Sequence, residues 1–445
     1  MTEILFSFDT EDYVNARGAE GILGAAELLH KAGVKGNFVL VARLAQALVK
    51  WGRTDVIDAL QNHELGLHSL SHTYHPCINE YTDLEDFEEA KKILLEQENE
   101  GRRIISEIFG ERTYAAACPP GHNVSYVAHY GYAEMGIPLY CGDFLIDPIH
   151  GRHIFGLNVT CTDYHLCLDH WLRYGTKADI DAKLEEIAQN KDMFIFYHHP
   201  HTAYLAEHPD ILNFNGKNVP EEEWVLSPNL PEEDTKRFYE NFAYLVEKLK
   251  ADPRFHLTTY SEFAKKYCYA ERTIERDQLP ELKKQLEEYF FPVTTPDSYC
   301  ISDILLACRD FLTGKDSHKC GNVYGFLETP YEISRPVTVT ADDIRASAEQ
   351  IGDGFLPQSI VVGQQEIGLR DWLFAAMEVL EGAETVTLQP APWQIDMDQF
   401  PKLRDMNMKG AWIFWDKLED KYLSDRFRMQ SWTFRLPKDT QRTIF

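Results

Sequence analysis

Glu64-Leu65-Gly66-Leu67-His68-Ser69-Leu70-Ser71-His72 is the stretch from which the fold can be read. Leu65 and Leu67 flank a small Gly66, the pattern of a short buried strand. Two imidazoles follow, four residues apart. On a helical turn they would share a side and could hold one divalent metal ion. A strand whose C-terminal end delivers such side chains is the habit of parallel α/β enzymes. A His-x-x-x-His spacing is common by chance, so further support has to come from the rest of the chain.

Moving outward, the same sequence of apolar strand and then polar chemistry recurs. Ile4-Leu5-Phe6-Ser7-Phe8 runs into Asp9-Thr10-Glu11-Asp12. A solvated turn or a helix cap would account for such a cluster, but three close carboxylates repel one another unless something positive stands nearby, and a metal would resolve that repulsion. Asn37-Phe38-Val39-Leu40-Val41 is a second strand, and Thr113–Ala117 is a short one ending in Cys118-Pro119-Pro120-Gly121-His122. Met193-Phe194-Ile195-Phe196-Tyr197 is strongly apolar and ends at His198-His199-Pro200-His201, while residues 137–140, 156–159 and 255–258 complete the strands. Helical periodicity is expected over 18–32, 42–60, 83–108, 180–190, 232–250 and 260–267. Alternating strands and helices predict a parallel α/β barrel over residues 1–270.

At 445 residues the chain exceeds one ordinary domain. Residues 271–288 read as a charged helical linker, and 289–445 as a smaller C-terminal α+β accessory domain. There Val337-Thr338-Val339-Thr340 leads into a capped helix, and Trp393, Trp412, Phe414, Trp415 and Trp432 are expected to be mostly core. Self-association into a homo-oligomer, or partner binding, is its expected role. The net charge of −27 argues against nucleic acid or anionic lipid as the main partner. No signal peptide or membrane span is visible, and nine cysteines without a Cys-x-x-Cys pair fit reduced thiols, so a cytoplasmic location is expected.

The strand ends together resemble the polysaccharide deacetylase family, the NodB-type enzymes of carbohydrate esterase family 4. The likeness lies in Asp9-Thr10-Glu11-Asp12, His68-Ser69-Leu70-Ser71-His72, Cys118-Pro119-Pro120-Gly121 and Tyr197-His198-His199-Pro200, and it spans residues 3–268. It implies a distorted, NodB-like (β/α) barrel of about seven strands. It also implies metal-dependent hydrolysis of a carbon–nitrogen amide bond, deacetylating an N-acyl amino sugar or related carbohydrate, small or carrier-linked. The metal would be zinc first, then cobalt, nickel or manganese. In this reading Asp9 is the general base, His199 the acid, and Asp12, His68 and His72 the metal ligands. Glu11 is the alternative to Asp12, because on a regular strand Asp9 and Glu11 share a face. Pro120, Gly121, His122, Asp143, Asp163 and His165 would meet substrate.

One departure stands out. Cys118 replaces the motif arginine that orients the base, and a thiol cannot form that bidentate ion pair. Two other readings therefore stay open: hydrolysis of a cyclic amide or ureide, as in allantoinase-like relatives, and a catalytically silent barrel acting as a binding module. Farther on, Val339–Leu380 resembles one partial copy of the pseudomurein-binding repeat.

Overall fold

The computed structural model describes residues 1–120, 125–141, 152–162, 164–268, 271–395, 421–440 and 442. Two compact units divide the chain, the first mainly Met1–Arg152 with Thr160–Cys268, the second mainly Tyr269–Met406 with Tyr422–Phe445.

The first unit is an α/β half-barrel. Its strands are β1 (Thr2–Thr10), β2 (Asn37–Leu40), β3 (Glu64–Leu67), β4 (Ala116–Ala117), β5 (Leu139–Cys141), β6 (Val159–Thr162), β7 (Leu166–Cys167), β8 (Met193–His198) and β9 (Phe255–Leu257). Eight follow one another in the order β6-β5-β4-β3-β2-β1-β8-β7, every neighbour parallel, and β9 pairs with the start of β1. The sheet curls and stays open.

Register matters more than strand count. Thr10 pairs with Leu40, Leu40 with Leu67, and Leu67 with Ala117. The residues that follow these partners, Glu11, His68 and Cys118, therefore leave the sheet at one level. On the other flank of β1, Phe8 pairs with His198, which puts Asp9 and His199 side by side.

Alternation along each strand separates chemistry from packing. On β1, Phe6 and Phe8 turn to one face, where Phe8 stacks on Phe38 at 4.4 Å and Phe6 meets Phe242 edge-on at 5.6 Å. Each such buried ring contributes roughly 1.5–3 kcal/mol. Leu5 turns to the opposite face, into a cluster with Val39, Ala116, Cys118, Cys141 and Ile195, and Asp9 shares its parity. Gly66 is required by close approach: a Cβ there would lie 2.7 Å from Val39 Cγ1 and 2.9 Å from the Ala116 carbonyl.

The elements follow the sequence pattern closely, with two informative differences, one in a helix and one in a strand. The expected helix over 42–60 is two, Ala42–Lys50 and Thr54–Leu60, interrupted where Gly52 takes φ 71°. The strand expected at 156–159 begins only at Val159, because Asn158 adopts φ 57° in the turn before it. No helix among the described residues is long and apolar enough to cross a membrane.

In the second unit, 271–288 is not continuous helix. Arg272–Glu275 is a strand antiparallel to Ser317–Cys320, and only Leu279–Glu288 is α-helical. Val337–Thr340 pairs with Thr385–Leu388, and Thr340 caps the helix Ala341–Ser347 as read from sequence. Trp372 and Trp432 are fully buried with their indole N–H groups bonded to Ser347 Oγ and the Trp393 carbonyl, so these aromatics are core. Trp412, Phe414 and Trp415 lie outside the described residues. Arg435 grips Asp303 through two 2.7 Å bonds in this interior. Breaking a buried pair from one side strands the other charge, so Asp303→Asn should cost ~3–5 kcal/mol, read by chemical denaturation. An unchanged midpoint would show that the pair is not buried in solution.

A second prediction comes from Glu98, inside the helix Phe87–Phe109. It is buried, one carboxylate oxygen has no partner, and burial pushes its pKa up to about 7, against the opposing influence of the nearby Tyr132 hydroxyl and Leu70 amide. The folded state thus holds a proton that the unfolded chain releases near 4.5, and stability falls as pH rises between those values. Glu98→Gln should raise Tm more at pH 8 than at pH 5, with a gain on the order of 1–3 kcal/mol at the higher pH. Equal gains at both pH values would contradict this.

Candidate active site

The polar strand ends converge at one rim of the half-barrel. His68 leaves β3 with its amide donating to the Leu40 carbonyl at 3.0 Å. The expected helical turn between the two histidines is a tight loop instead, with Ser69 at φ 66° and His72 at φ 54°, closed by the His72 amide on Ser69 Oγ at 2.9 Å. The loop still brings the rings to 4.9 Å.

Each ring is held through Nδ1. His68 Nδ1 lies 2.5 Å from the Cys118 carbonyl and His72 Nδ1 lies 2.8 Å from Asp210 Oδ1. Those bonds place the hydrogens on Nδ1 and leave both Nε2 lone pairs inward, buried and without a hydrogen-bond partner. Between them stands Glu11, its Oε2 at 2.9 Å from His72 Nε2 and 3.5 Å from His68 Nε2. Against the pull of burial, the carboxylates of Asp210 and Glu11 push the His72 pKa up to about 10. A cation at the inward nitrogens replaces the proton they would otherwise share. The arrangement fits a divalent ion: two neutral imidazoles and one carboxylate, oriented from behind by a carbonyl and an aspartate.

Glu11, not Asp12, is the carboxylate beside the pair. Asp12 Oδ1 accepts from the amides of Val14 and Asn15, both at 2.9 Å, and so turns the chain after β1. Strand parity sends Asp12 away from Asp9, and burial raises its pKa to about 7.

The second group lies one flank away. Asp9 is buried; Tyr164 donates to its Oδ1 at 2.7 Å, and Oδ2 lies 3.8 Å from His199 Nε2. His199 is oriented from behind by Asp169, which accepts from its amide at 3.0 Å and lies 2.8 Å from its Nδ1. Burial draws the His199 pKa down, but Asp169 and Glu11 outweigh it and hold it well above the ordinary value. His198 turns instead to the helix layer, against Phe238.

Other expected residues sort differently. Pro120 is buried at the end of β4, and His165 spends Nδ1 on the Ile195 amide, as a brace for β8 rather than a pocket group. Gly121, His122, Asp143 and Asp163 lie outside the described residues. Sequence reasoning missed Tyr164, Asp169 and Asp210, which orient Asp9, His199 and His72, and His208, whose Nδ1 is 3.3 Å from Glu11 Oε1. The available signal was chemical: a metal-binding or proton-donating histidine needs a carboxylate behind it, and Leu168-Asp169 and Pro209-Asp210 offer carboxylates at helix starts.

Comparison with known proteins gives partial likenesses to solved structures. No family model matches the chain, so the similarity of 339–380 to the pseudomurein-binding repeat gains no support, and no curated protein matches it either. Among solved structures, a protein described as a polysaccharide deacetylase from Mycobacterium smegmatis is 15% identical, with TM-score 0.39, over 60% of this chain and 90% of that one. A variant of a peptidoglycan deacetylase from Bacillus subtilis is 17% identical, with TM-score 0.33, over 64% and 96%. An allantoinase is 13% identical, with TM-score 0.38, over 59% and 89%. Likenesses of this size do not say what the chain acts on.

The His199–Asp169 pair makes a pH prediction. A histidine whose folded value lies above its unfolded one, about 6.5, adds stability that is fully present below that pH and is lost as pH rises through the folded value. Asp169→Asn should bring the His199 titration down toward the ordinary range and remove that dependence, read by NMR of the ring protons. A titration that does not move would show that Asp169 is not what holds the proton.

Proposed function

We propose that the chain is a metal-dependent hydrolase of a carbon–nitrogen amide bond, removing the acyl group from an N-acyl amino sugar or a related carbohydrate. One observation carries the reading: the buried, partnerless Nε2 atoms of His68 and His72 converge on Glu11, beside an Asp9–His199 pair 3.8 Å apart. A divalent ion held by His68, His72 and Glu11, zinc first among the candidates, would polarise the acyl carbonyl and lower the pKa of water bound in its open position.

Asp9, fixed by Tyr164 at one oxygen, takes the water proton at the other. His199 has its Nδ1 committed to Asp169 and its Nε2 turned to the pocket, so it gives its proton to the departing amine. Nine free cysteines, seven of them buried, support a reducing compartment, and the cytoplasm is the proposed location.

The test combines metal analysis with a substrate panel. Purified protein should hold stoichiometric divalent metal, and His68→Ala should lose both that metal and activity. Asp9→Asn should keep the metal while kcat falls ~10²–10⁴-fold. Acetate release from N-acetylated amino sugars is the expected activity. Ring opening of cyclic ureides without acetate release would favour the allantoinase-like alternative, which the loss of the motif arginine keeps in view. Protein that binds no metal, with His68→Ala indistinguishable from wild type, would leave the silent barrel.

A further inference from the structure

Glu11 has two oxygens, and the site described above uses one. Oε1 faces the other way, toward a second pair of imidazoles. His208 Nδ1 lies 3.3 Å from it and His201 Nδ1 lies 4.0 Å from it. The two rings meet edge to face at 4.7 Å, and the three donor atoms lie within 4.8 Å of one another.

His201 is the informative member. It is 2% exposed, and neither ring nitrogen has a hydrogen-bond partner. Buried imidazoles ordinarily satisfy at least one nitrogen. The backbone goes to some length to keep it there: a Cβ on Gly21 would lie 1.8 Å from the Pro200 carbonyl, and one on Gly18 would lie 3.0 Å from His201 Cβ. Only glycines at both places let the Pro200–Ala203 turn sit this close to the helix Ala19–Lys31.

Ligand atoms around a tetrahedral ion with bonds of ~2.0–2.2 Å stand roughly 3.3 Å apart. The 3.3 Å and 4.0 Å separations at Oε1 are close to that, as are the 2.9 Å and 3.5 Å separations at Oε2. The carboxylates of Asp9, Glu11, Asp169 and Asp210 are all buried around this point, more negative charge than one divalent ion offsets.

We infer that Glu11 bridges two divalent cations, the first held by His68 and His72 and the second by His201 and His208. The ligand class is a borderline transition-metal ion that accepts imidazole and carboxylate, such as zinc, cobalt or manganese. A bridging carboxylate would hold the ions ~3.5–4 Å apart, the spacing of two-metal hydrolases. The segment His208-Pro209-Asp210 ties the two sites together, since Asp210 orients His72 while His208 serves the second ion. The inference rests on the proposed function only in sharing Glu11 with the first site.

The experiment is metal stoichiometry on the intact chain, stripped and then dialysed against zinc or manganese. Wild type should hold two equivalents. His208→Gln, at a partly exposed position, and His201→Ala should each hold one, and His68→Ala with His72→Ala should also hold one. Manganese-loaded wild type should show an exchange-coupled EPR signal that His208→Gln converts to that of an isolated ion. One equivalent in wild type, unchanged by His208→Gln but lost in the His68 and His72 variant, would overturn the second site and leave the first standing. One equivalent that depends on His208 and not on His68 would overturn both the bridge and the first-site reading.

Discussion

The constraint on which the site depends is the register of four parallel strands. Thr10, Leu40, Leu67 and Ala117 stand in one row across the sheet, so the next residue of each strand emerges at the same height. That row makes neighbours of Glu11, His68 and Cys118, which are dozens of residues apart in sequence. A slip of one residue in β3 would turn the backbone by half a pleat and send the His68 ring into the helix layer. Gly66 guards against a displacement there, because β2 and β4 close on it too tightly for a side chain. The chemistry is placed by backbone hydrogen bonds before any side chain makes a contact of its own.

Given that placement, the next requirement is that each histidine show the right nitrogen. Imidazole has two similar faces, and a buried ring free to flip would offer a lone pair or a proton at random. Asp210, Asp169 and the Cys118 carbonyl remove the choice by taking Nδ1 of His72, His199 and His68. The same device has different outcomes. Behind His68 the neutral carbonyl fixes a tautomer. Behind His199 the charged Asp169 also holds the proton on, which suits a donor.

The half-barrel was legible in the sequence because its strands are short, apolar and followed at once by polar residues. Four residues of the candidate site, His68, His72, Asp9 and His199, were legible for the same reason, each lying at a strand end. The choice between Glu11 and Asp12 was also there to be read. Strand alternation alone puts Glu11 with Asp9, and it was the family's motif wording, not the physics, that favoured Asp12. Tyr164, Asp169, Asp210 and His208 were not legible. They come from loops and helix starts whose return to the rim depends on tertiary packing, and a single aspartate in such a segment looks like any helix cap. The 271–288 segment misled for a related reason: its charge pattern suits a helix, whereas pairing with Ser317–Cys320 decides for a strand at Arg272–Glu275.

Cys118 is where the chain departs from the pattern it resembles, and the structure shows what that departure does. The Cys118 thiol is buried in a cluster with Cys141, and its carbonyl holds His68. Orientation of Asp9 passes to Tyr164, stacked on Tyr197 at 4.5 Å and donating from its hydroxyl. A phenol can fix a carboxylate's rotamer as well as a guanidinium can, but it brings no charge. The base is thus held in place without a fixed positive charge beside it. The buried carboxylates of Asp9, Glu11, Asp169 and Asp210 then have His199 as a charged partner, and a bound cation would supply the rest. The unpartnered ring nitrogens of His201 lie on the side of Glu11 where a second ion would offset that charge.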